Sequence, residues 1–378
     1  MRTYHLITSL LFGAIILAMA GAAVVRALPY DVPPGTDVVE GGLTRGFESH
    51  YDKVFPVKTF GTNVWGAIQF VLFGEGRSGV VVGRNGWLYT SEEFSAYPDG
   101  EAQVEANLEL IAQVQQKLRA RGTELTVAVL PAKARLYPEY VAQHHPAEVH
   151  RDLYQRIHAG LQARGVAAPD LLIPLEQCKT QSAVFLRTDT HWTPEGARCS
   201  AQALAAVMAP RTGDAAVRFT SEVGAPVEHQ GDLMQFLPLA PYFSALMPRP
   251  DLLTARSTVA ASTASTEADL FGDAPAPAIV LVGTSYSADG RWNFDGALRE
   301  SLDQDVLNMA QAGHGPFEPM LAYLDKPQDG PAPAHLIWEI PERYLPAGKK
   351  PAGRKPKSDE GHAQLALAPT STTTVAQP

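Results

Sequence analysis

The apolar positions open the chain with one unbroken run. Leu6 to Val25 holds twenty residues without a charge, enough at about 1.5 Å per helical residue to cross a hydrocarbon core of about 30 Å. Pro29 to Gly42 then carries Pro and Gly without periodicity and reads as a linker. Phe55 to Phe73 turns aromatic and apolar, and Val80 to Tyr89 reads as a β-hairpin turning at Asn85-Gly86. From Val104 the positions Leu108, Ile111, Val114 and Leu118 recur at three- and four-residue spacing up to Gly122, which predicts an amphipathic helix with its stop signal. The pattern then predicts a strand at Leu125–Leu130, a helix at His150–Ala163 and a strand at Leu171–Pro174. Thr193-Pro194 offers an N-cap and a first-turn proline to a further helix that Pro210 ends. Strands follow at Ala278–Val282, Val306–Met309 and Leu336–Ile340, with helices between them at Asn293–Leu302 and Glu318–Leu324. This alternation implies an α/β fold, a mainly parallel sheet flanked by helices. Thr212 to Asp273 breaks the rhythm with many small polar residues and reads as an insertion.

These shifts divide the chain into a membrane segment (1–28), a linker (29–44), one large domain (45–345, with its insertion at about 212–273) and a disordered tail (346–378) rich in Pro, Ala, Thr and Lys. Arg2 and the N-terminal amine precede the apolar run, so the rest of the chain is expected on the far side of the membrane. Ala18-Met19-Ala20 fits a signal-peptidase site, whereas the length of the run suits an uncleaved anchor. A composition of 45% hydrophobic and 19% charged residues excludes collagen, coiled coil and wholesale disorder. With 31 Lys plus Arg against 40 Asp plus Glu, the net charge of −9 argues against a nucleic-acid partner. The two cysteines, Cys178 and Cys199, form a disulfide by default in an oxidising compartment, the alternative being two buried thiols.

Two stretches carry candidate chemistry. In Arg187-Thr188-Asp189-Thr190-His191-Trp192-Thr193, an Asp two residues before a His can hold one ring nitrogen and leave the other free to take a proton. The same residues could be a turn, a satisfied core histidine or metal ligands, although no further donors cluster nearby to make a metal site. In Ala278 to Ser287, a hydrophobic strand ending in Gly283-Thr284-Ser285 presents a hydroxyl at the carboxyl edge of a parallel sheet, where open α/β sheets bind ligands. Gly283 permits a sharp turn, and the amides after it could face a developing oxyanion. A Ser nucleophile needs a base, and Asp-x-His supplies a base with its orienter.

Asp-Thr-His-Trp followed by Gly-Thr-Ser-Tyr-Ser resembles the alginate O-acetyltransferase family of the bacterial periplasm, of the AlgJ and AlgX type, whose fold is SGNH-hydrolase-like. Further stretches share the resemblance: Glu48 to Asp52 with Phe55-Pro56, Val81 to Tyr89, Leu130-Pro131-Ala132-Lys133, Trp292 to Gly296, and Ile337 to Tyr344. They span about 45–345, and the chain ends too soon for the carbohydrate-binding module of the AlgX type, so the AlgJ type is nearer. The resemblance implies Ser285 as nucleophile, His191 as base and then acid, and Asp189 as its orienter, in permuted order relative to ordinary SGNH hydrolases. It implies an acetyl-serine intermediate, an exopolysaccharide acceptor, a membrane-bound O-acyltransferase as donor, and other polysaccharide acetylation or export subunits as partners at the inner membrane. No cofactor is expected, since neither a P-loop nor a Rossmann fingerprint occurs. Lys133 could meet a uronate carboxylate, with a solvated surface lysine as the plainer reading. Tyr286 and Trp292 are further substrate-binding candidates; Trp87, Trp192 and Trp292 could stack on sugar rings, with core or rim packing as the plainer reading, and His314 could lie in an oxyanion loop or be a turn residue. His50, His144, His145 and His229 have no evident partner. An acetylesterase with the same triad, or an inert polymer-binding subunit, are the rival readings.

Overall fold

The computed structural model describes residues 2–28, 30–55, 57–142, 144–208, 219–261, 278–326 and 330–348; the expected tail beyond 348 and parts of the expected insertion lie outside them. The chain divides into two units at Thr62/Asn63. In the first, α1 (Arg2–Ala27) contains Tyr4–Ala27, 24 residues within which an 18-residue window has a mean hydropathy of 2.2, long and apolar enough to cross a membrane. α2 (Gly42–Val54) follows, and α3 (Lys58–Ile68) begins in this unit.

In the second unit β1 (Val80–Val82) pairs antiparallel with β2 (Leu88–Thr90). The reversal uses left-handed backbone at Asn85 (φ 55°) and Gly86 (φ 76°), as the Asn-Gly pair predicts. Next come α4 (Gly100–Ala120), β3 (Glu124–Leu130), the short α5 (Lys133–Leu136), α6 (Leu153–Ala163), α7 (Leu172–Lys179) and α8 (Pro194–Val207). β4 (Phe219–His229) and β5 (Asp251–Ala260) form an antiparallel pair. The chain continues through β6 (Ile279–Val282), the single turn α9 (Ser285–Ala288), α10 (Phe294–Leu302), β7 (Val306–Asn308), α11 (Phe317–Asp325) and β8 (His335–Pro341).

The central sheet is all parallel, in the order β3-β8-β6-β7. Alternate residues of its strands feed two cores. Ala128, Leu130, Ile279, Leu281 and Ile337 pack with Leu175, Ala197, Leu204 and Leu298 of α7, α8 and α10. Val127, Val129, Val280, Val282, Leu336 and Trp338 pack with Leu108, Ile111, Ile157 and Met320 of α4, α6 and α11. Burial on both faces explains why these strands are near-continuous apolar runs.

Two expectations change. Leu171–Pro174 opens a helix, not a strand: the Asp170 carboxylate accepts from the Leu172 amide (2.8 Å), the Tyr154 hydroxyl accepts from the Leu171 amide (2.8 Å), and Pro174 falls in the first turn, where its missing N–H costs nothing. The stretch expected as an irregular insertion supplies β4 and β5, whose residues are mostly exposed on both faces and so lack apolar alternation. Between them Leu233, Met234, Leu237 and Leu239 bury against Val80, Val82 and Leu88.

Candidate active site

β6 runs out at Val282, and the chain turns through Gly283 into α9, which places Ser285 at the carboxyl edge of the sheet. The close approach to β8 needs glycine: a Cβ at Gly283 would come within 2.5 Å of Glu339 Oε2 and 2.9 Å of Glu339 Cβ. Glu339, fully buried on the neighbouring β8, accepts from the Thr284 amide (2.7 Å), the Thr284 hydroxyl (3.0 Å) and the Ser287 hydroxyl (3.0 Å), and burial pushes its carboxyl up. It thus braces the residues on either side of Ser285. It also uses the Thr284 amide, one of those expected to face an oxyanion.

Ser285 Oγ lies 2.7 Å from His191 Nε2, and His191 Nδ1 lies 2.7 Å from Asp189 Oδ1. The structure therefore brings together Asp189, His191 and Ser285, residues separated by up to 96 positions. Asp189 is 1% exposed. Burial by itself would raise its carboxyl, but hydrogen bonds from His191 and His229 outweigh this and hold it well below the ordinary carboxylate range. Asp232 lies alongside: its Oδ1 accepts from the Thr190 amide (2.7 Å), and burial followed by the charge of Asp189 pushes its carboxyl up. Asp189, His191 and Asp232 also have donor atoms close enough to hold a cation, but the Asp189 oxygens already accept hydrogen bonds from both histidines.

A family model described as the SGNH hydrolase-like domain of the acetyltransferase AlgX matches residues 80–342. The chain belongs to this AlgX acetyltransferase family. It is 47% identical over 344 residues to the probable alginate O-acetylase AlgJ of Pseudomonas aeruginosa, covering 89% of this chain and 88% of that one. With the protein of the same name from Pseudomonas syringae pv. tomato it is 48% identical over 340 residues, covering 88% and 86%. The solved O-acetyltransferase domain of Pseudomonas putida AlgJ superposes with a TM-score of 0.65 at 43% identity, covering 74% of this chain and 96% of that domain. Pseudomonas aeruginosa AlgX gives 0.52 at 25% identity, covering 72% and 68%. The chain is thus an SGNH-hydrolase-like acetyltransferase.

Within this AlgX-family domain the residues expected to touch substrate are placed otherwise. Lys133 is 1% exposed, and its ammonium donates to the carbonyls of Leu88 (2.6 Å), Arg187 (3.0 Å) and Asp189 (2.9 Å). All three of its hydrogens are spent, which corrects both the surface lysine and the uronate contact; burial lowers its pKa to about 8. Tyr286 is buried, donates to the Thr190 carbonyl (2.7 Å) and accepts from Arg343 (3.2 Å). Trp292 has no exposed surface and stacks on His191, ring centres 5.1 Å apart. Both pack against His191 and are closed off from solvent, and Trp87 and Trp192 are likewise buried. His314 is half exposed and bonds Glu318 (3.0 Å), as a helix-entry residue. Cys178 and Cys199 are joined, tying α7 to α8 across the loop that holds Asp189 and His191.

His229, which the sequence left without a partner, has one after all, and Asp232 and Asp251 were not singled out from the sequence at all. His229 Nε2 lies 2.8 Å from Asp189 Oδ2, the Asp232 amide donates to the same oxygen (3.1 Å), and Asp251 accepts from the Arg187 and Thr188 amides (2.9 and 2.8 Å). All three belong to the β4–β5 segment, where no local pattern marks them.

Proposed function

We propose that this chain transfers acetyl groups to hydroxyls of alginate through an ester on Ser285, with His191 as the base and Asp189 as its orienter. The observation that carries this reading is the 2.7 Å contact of Ser285 Oγ with His191 Nε2, continued by the 2.7 Å contact of His191 Nδ1 with Asp189. In the first half-reaction the Ser285 proton passes to His191 as Oγ attacks the acetyl carbonyl, and the imidazolium then protonates the leaving group. In the second, His191 takes the proton of a sugar hydroxyl, whose oxygen attacks the acetyl-serine carbonyl; the ester bond to Oγ breaks and the proton returns to Ser285. Asp189, held ionised, stabilises the imidazolium in both halves.

Alginate as acceptor rests on the AlgJ relatives, matched along most of their length. A cation suited to a uronate is at hand in Arg291, half exposed and paired with the Asp289 carboxylate, with its guanidinium 4.9 Å over the Trp292 ring that stacks on His191. α1 serves as an uncleaved anchor that keeps the catalytic domain, about 45–345, on the periplasmic side of the inner membrane. There a membrane-bound O-acyltransferase supplies acetyl, and other subunits of the alginate machinery present the polymer. Tethering raises the effective concentration of donor and acceptor site for each other.

The test uses the full chain in detergent with a chromogenic acetyl ester. A burst of chromophore, acetyl on Ser285 by mass spectrometry, and acetylated sugar once oligouronates are added are the expected results. Free acetate alone in the presence of oligouronates would make the chain an esterase, and acetyl on another residue would overturn the assignment of Ser285.

A further inference from the structure

We infer that His229 is a positioning residue of the catalytic base, acting through a carboxylate that it shares with His191. The inference rests on the acyl-transfer reading above and adds a fourth side chain to it. Asp189 is engaged at both oxygens: Oδ1 accepts from the His191 ring (2.7 Å) and the His191 amide (2.9 Å), and Oδ2 accepts from His229 Nε2 (2.8 Å) and the Asp232 amide (3.1 Å). A carboxylate held at one oxygen is free to turn about its terminal torsion, which has broad, shallow wells. Held at both, its plane is fixed, and with it the direction in which Nδ1–H points and Nε2 is aimed at Ser285; the Asp232 amide stays on Oδ2 without His229, but at 3.1 Å it is the longer of the two bonds, so the shorter His229 bond at 2.8 Å is the one that sets the plane.

His229 is built for this. It is 7% exposed, it is the last residue of β4, and its register partner on β5 is Asp251. The Asp251 carboxylate accepts from the Arg187 amide, the Thr188 amide and the Thr188 hydroxyl (2.5 Å). One end of the hairpin therefore clamps the Asp189 side chain and the backbone just before it. The His229 ring also meets Trp292 edge to face, with centres 5.7 Å apart and planes at 87°, while the other face of the packing is the stack of Trp292 on His191. The two imidazoles are thus linked twice, through one carboxylate and through one indole. The hydrogen bond is the link that sets the carboxylate, because a donor to an anion is stronger and more directional than ring packing.

Two substitutions separate the links. His229→Gln keeps an N–H near the position of Nε2 and removes the ring; His229→Leu keeps apolar bulk and removes the donor. With the full chain and the chromogenic acetyl ester, His229→Leu is expected to lower kcat about tenfold, the cost of one charge-assisted hydrogen bond, with KM within about twofold of wild type. His229→Gln is expected to recover most of that loss. Where His229→Leu fails to fold by circular dichroism, His229→Asn, whose amide is too short to reach Oδ2, carries the same expectation. Wild-type kcat in the donor-less variant, or a Gln variant as impaired as Leu, overturns the inference. Acetyl-Ser285 in the wild type with no difference among the variants removes this inference alone; no acetyl on Ser285 in the wild type removes the acyl-transfer reading and this with it.

Discussion

Lys133→Met is the substitution that most sharply separates a lysine serving the fold from one serving the substrate. The ammonium donates three hydrogen bonds, to Leu88, Arg187 and Asp189, and so ties β2 to the loop bearing the catalytic pair. Three bonds from a charged donor contribute about 4–9 kcal/mol together. Against them stands the burial that lowers the pKa from 10.5 to about 8, a cost of about 3 kcal/mol at neutral pH at about 1.4 kcal/mol per unit. The difference, about 1–6 kcal/mol, leaves most of the range of a domain whose stability is about 5–15 kcal/mol. The variant should therefore fold, yet let the Asp189 carbonyl drift, and a misplacement of about 1 Å costs up to about a hundredfold in rate. The assay is kcat and KM on a neutral acetyl ester: kcat is expected to fall at least about tenfold with KM little changed. Unfolding at two pH values adds a second readout. Because the native pKa lies below the unfolded one, unfolding takes up a proton between pH 8 and 10.5, so the Lys133 contribution makes stability rise with pH through that window. Above pH 10 the buried hydroxyls of Tyr89, Tyr154 and Tyr286, pushed up by burial, act in the opposite sense, so the comparison belongs at pH 7 and 9.5. Wild type should gain about 2 kcal/mol over the variant between those two values. Unchanged kcat on the neutral ester, with weakened binding of oligouronates only, would refute the structural role.

Four other outcomes follow from contacts elsewhere in the structure. Asp189→Asn should cut the burst rate about ten-thousandfold, because the amide reverses the hydrogen-bond pattern at His191 Nδ1, and Ser285→Ala should abolish acetyl-enzyme altogether; stopped-flow and mass spectrometry read both. Replacing Cys178 and Cys199 by Ser removes a cross-link of sequence separation 21 and should cost about 3 kcal/mol in denaturant unfolding, matched by reduction of the wild type. Arg291→Ala should raise KM for oligouronates about fivefold and leave the neutral ester unaffected, with the wild-type advantage fading at high salt.

What could be seen in the sequence was whatever its neighbours specify. Ser285 announces itself because a short apolar strand and a glycine precede it, and Asp189 with His191 because the pair is two residues apart. Lys133 misled, since its surroundings are carbonyls from β2 and the Arg187–Asp189 loop, and burial by distant segments leaves no trace next to the residue itself. His229 lies in a hairpin with exposed faces, so neither periodicity nor a motif surrounds it. Glu339 did leave a signal, an acid in the middle of the apolar run Leu336–Ile340, where an ionisable group on a buried strand asks for partners. Leu171–Pro174 failed for a different reason: four apolar residues fit a buried strand and a helix start equally well, and the Asp170 and Tyr154 acceptors decide between them.

The site is built in two halves held by different forces, and this bears on the permuted order of its residues. Ser285 is fixed by the sheet: β6 pairs with β7 and β8, and Glu339 of β8 grips the residues beside it. Asp189 and His191 belong to no strand of that sheet; the loop around them closes on a single bridge between Phe185 and Trp192. Its other restraints are polar and come from elsewhere in the chain. Lys133 holds the Asp189 carbonyl, His229 and the Asp232 amide hold the carboxylate, and Asp251 holds the two amides before it. A base half docked in this way need not follow the serine strand in sequence, because no strand order dictates where the loop must come from. What it does require is the β4–β5 hairpin. A stretch that reads as an insertion by composition thereby holds Asp189 in place, and on the proposed mechanism shortening it between His229 and Asp251 should disable the base while leaving the parallel sheet intact.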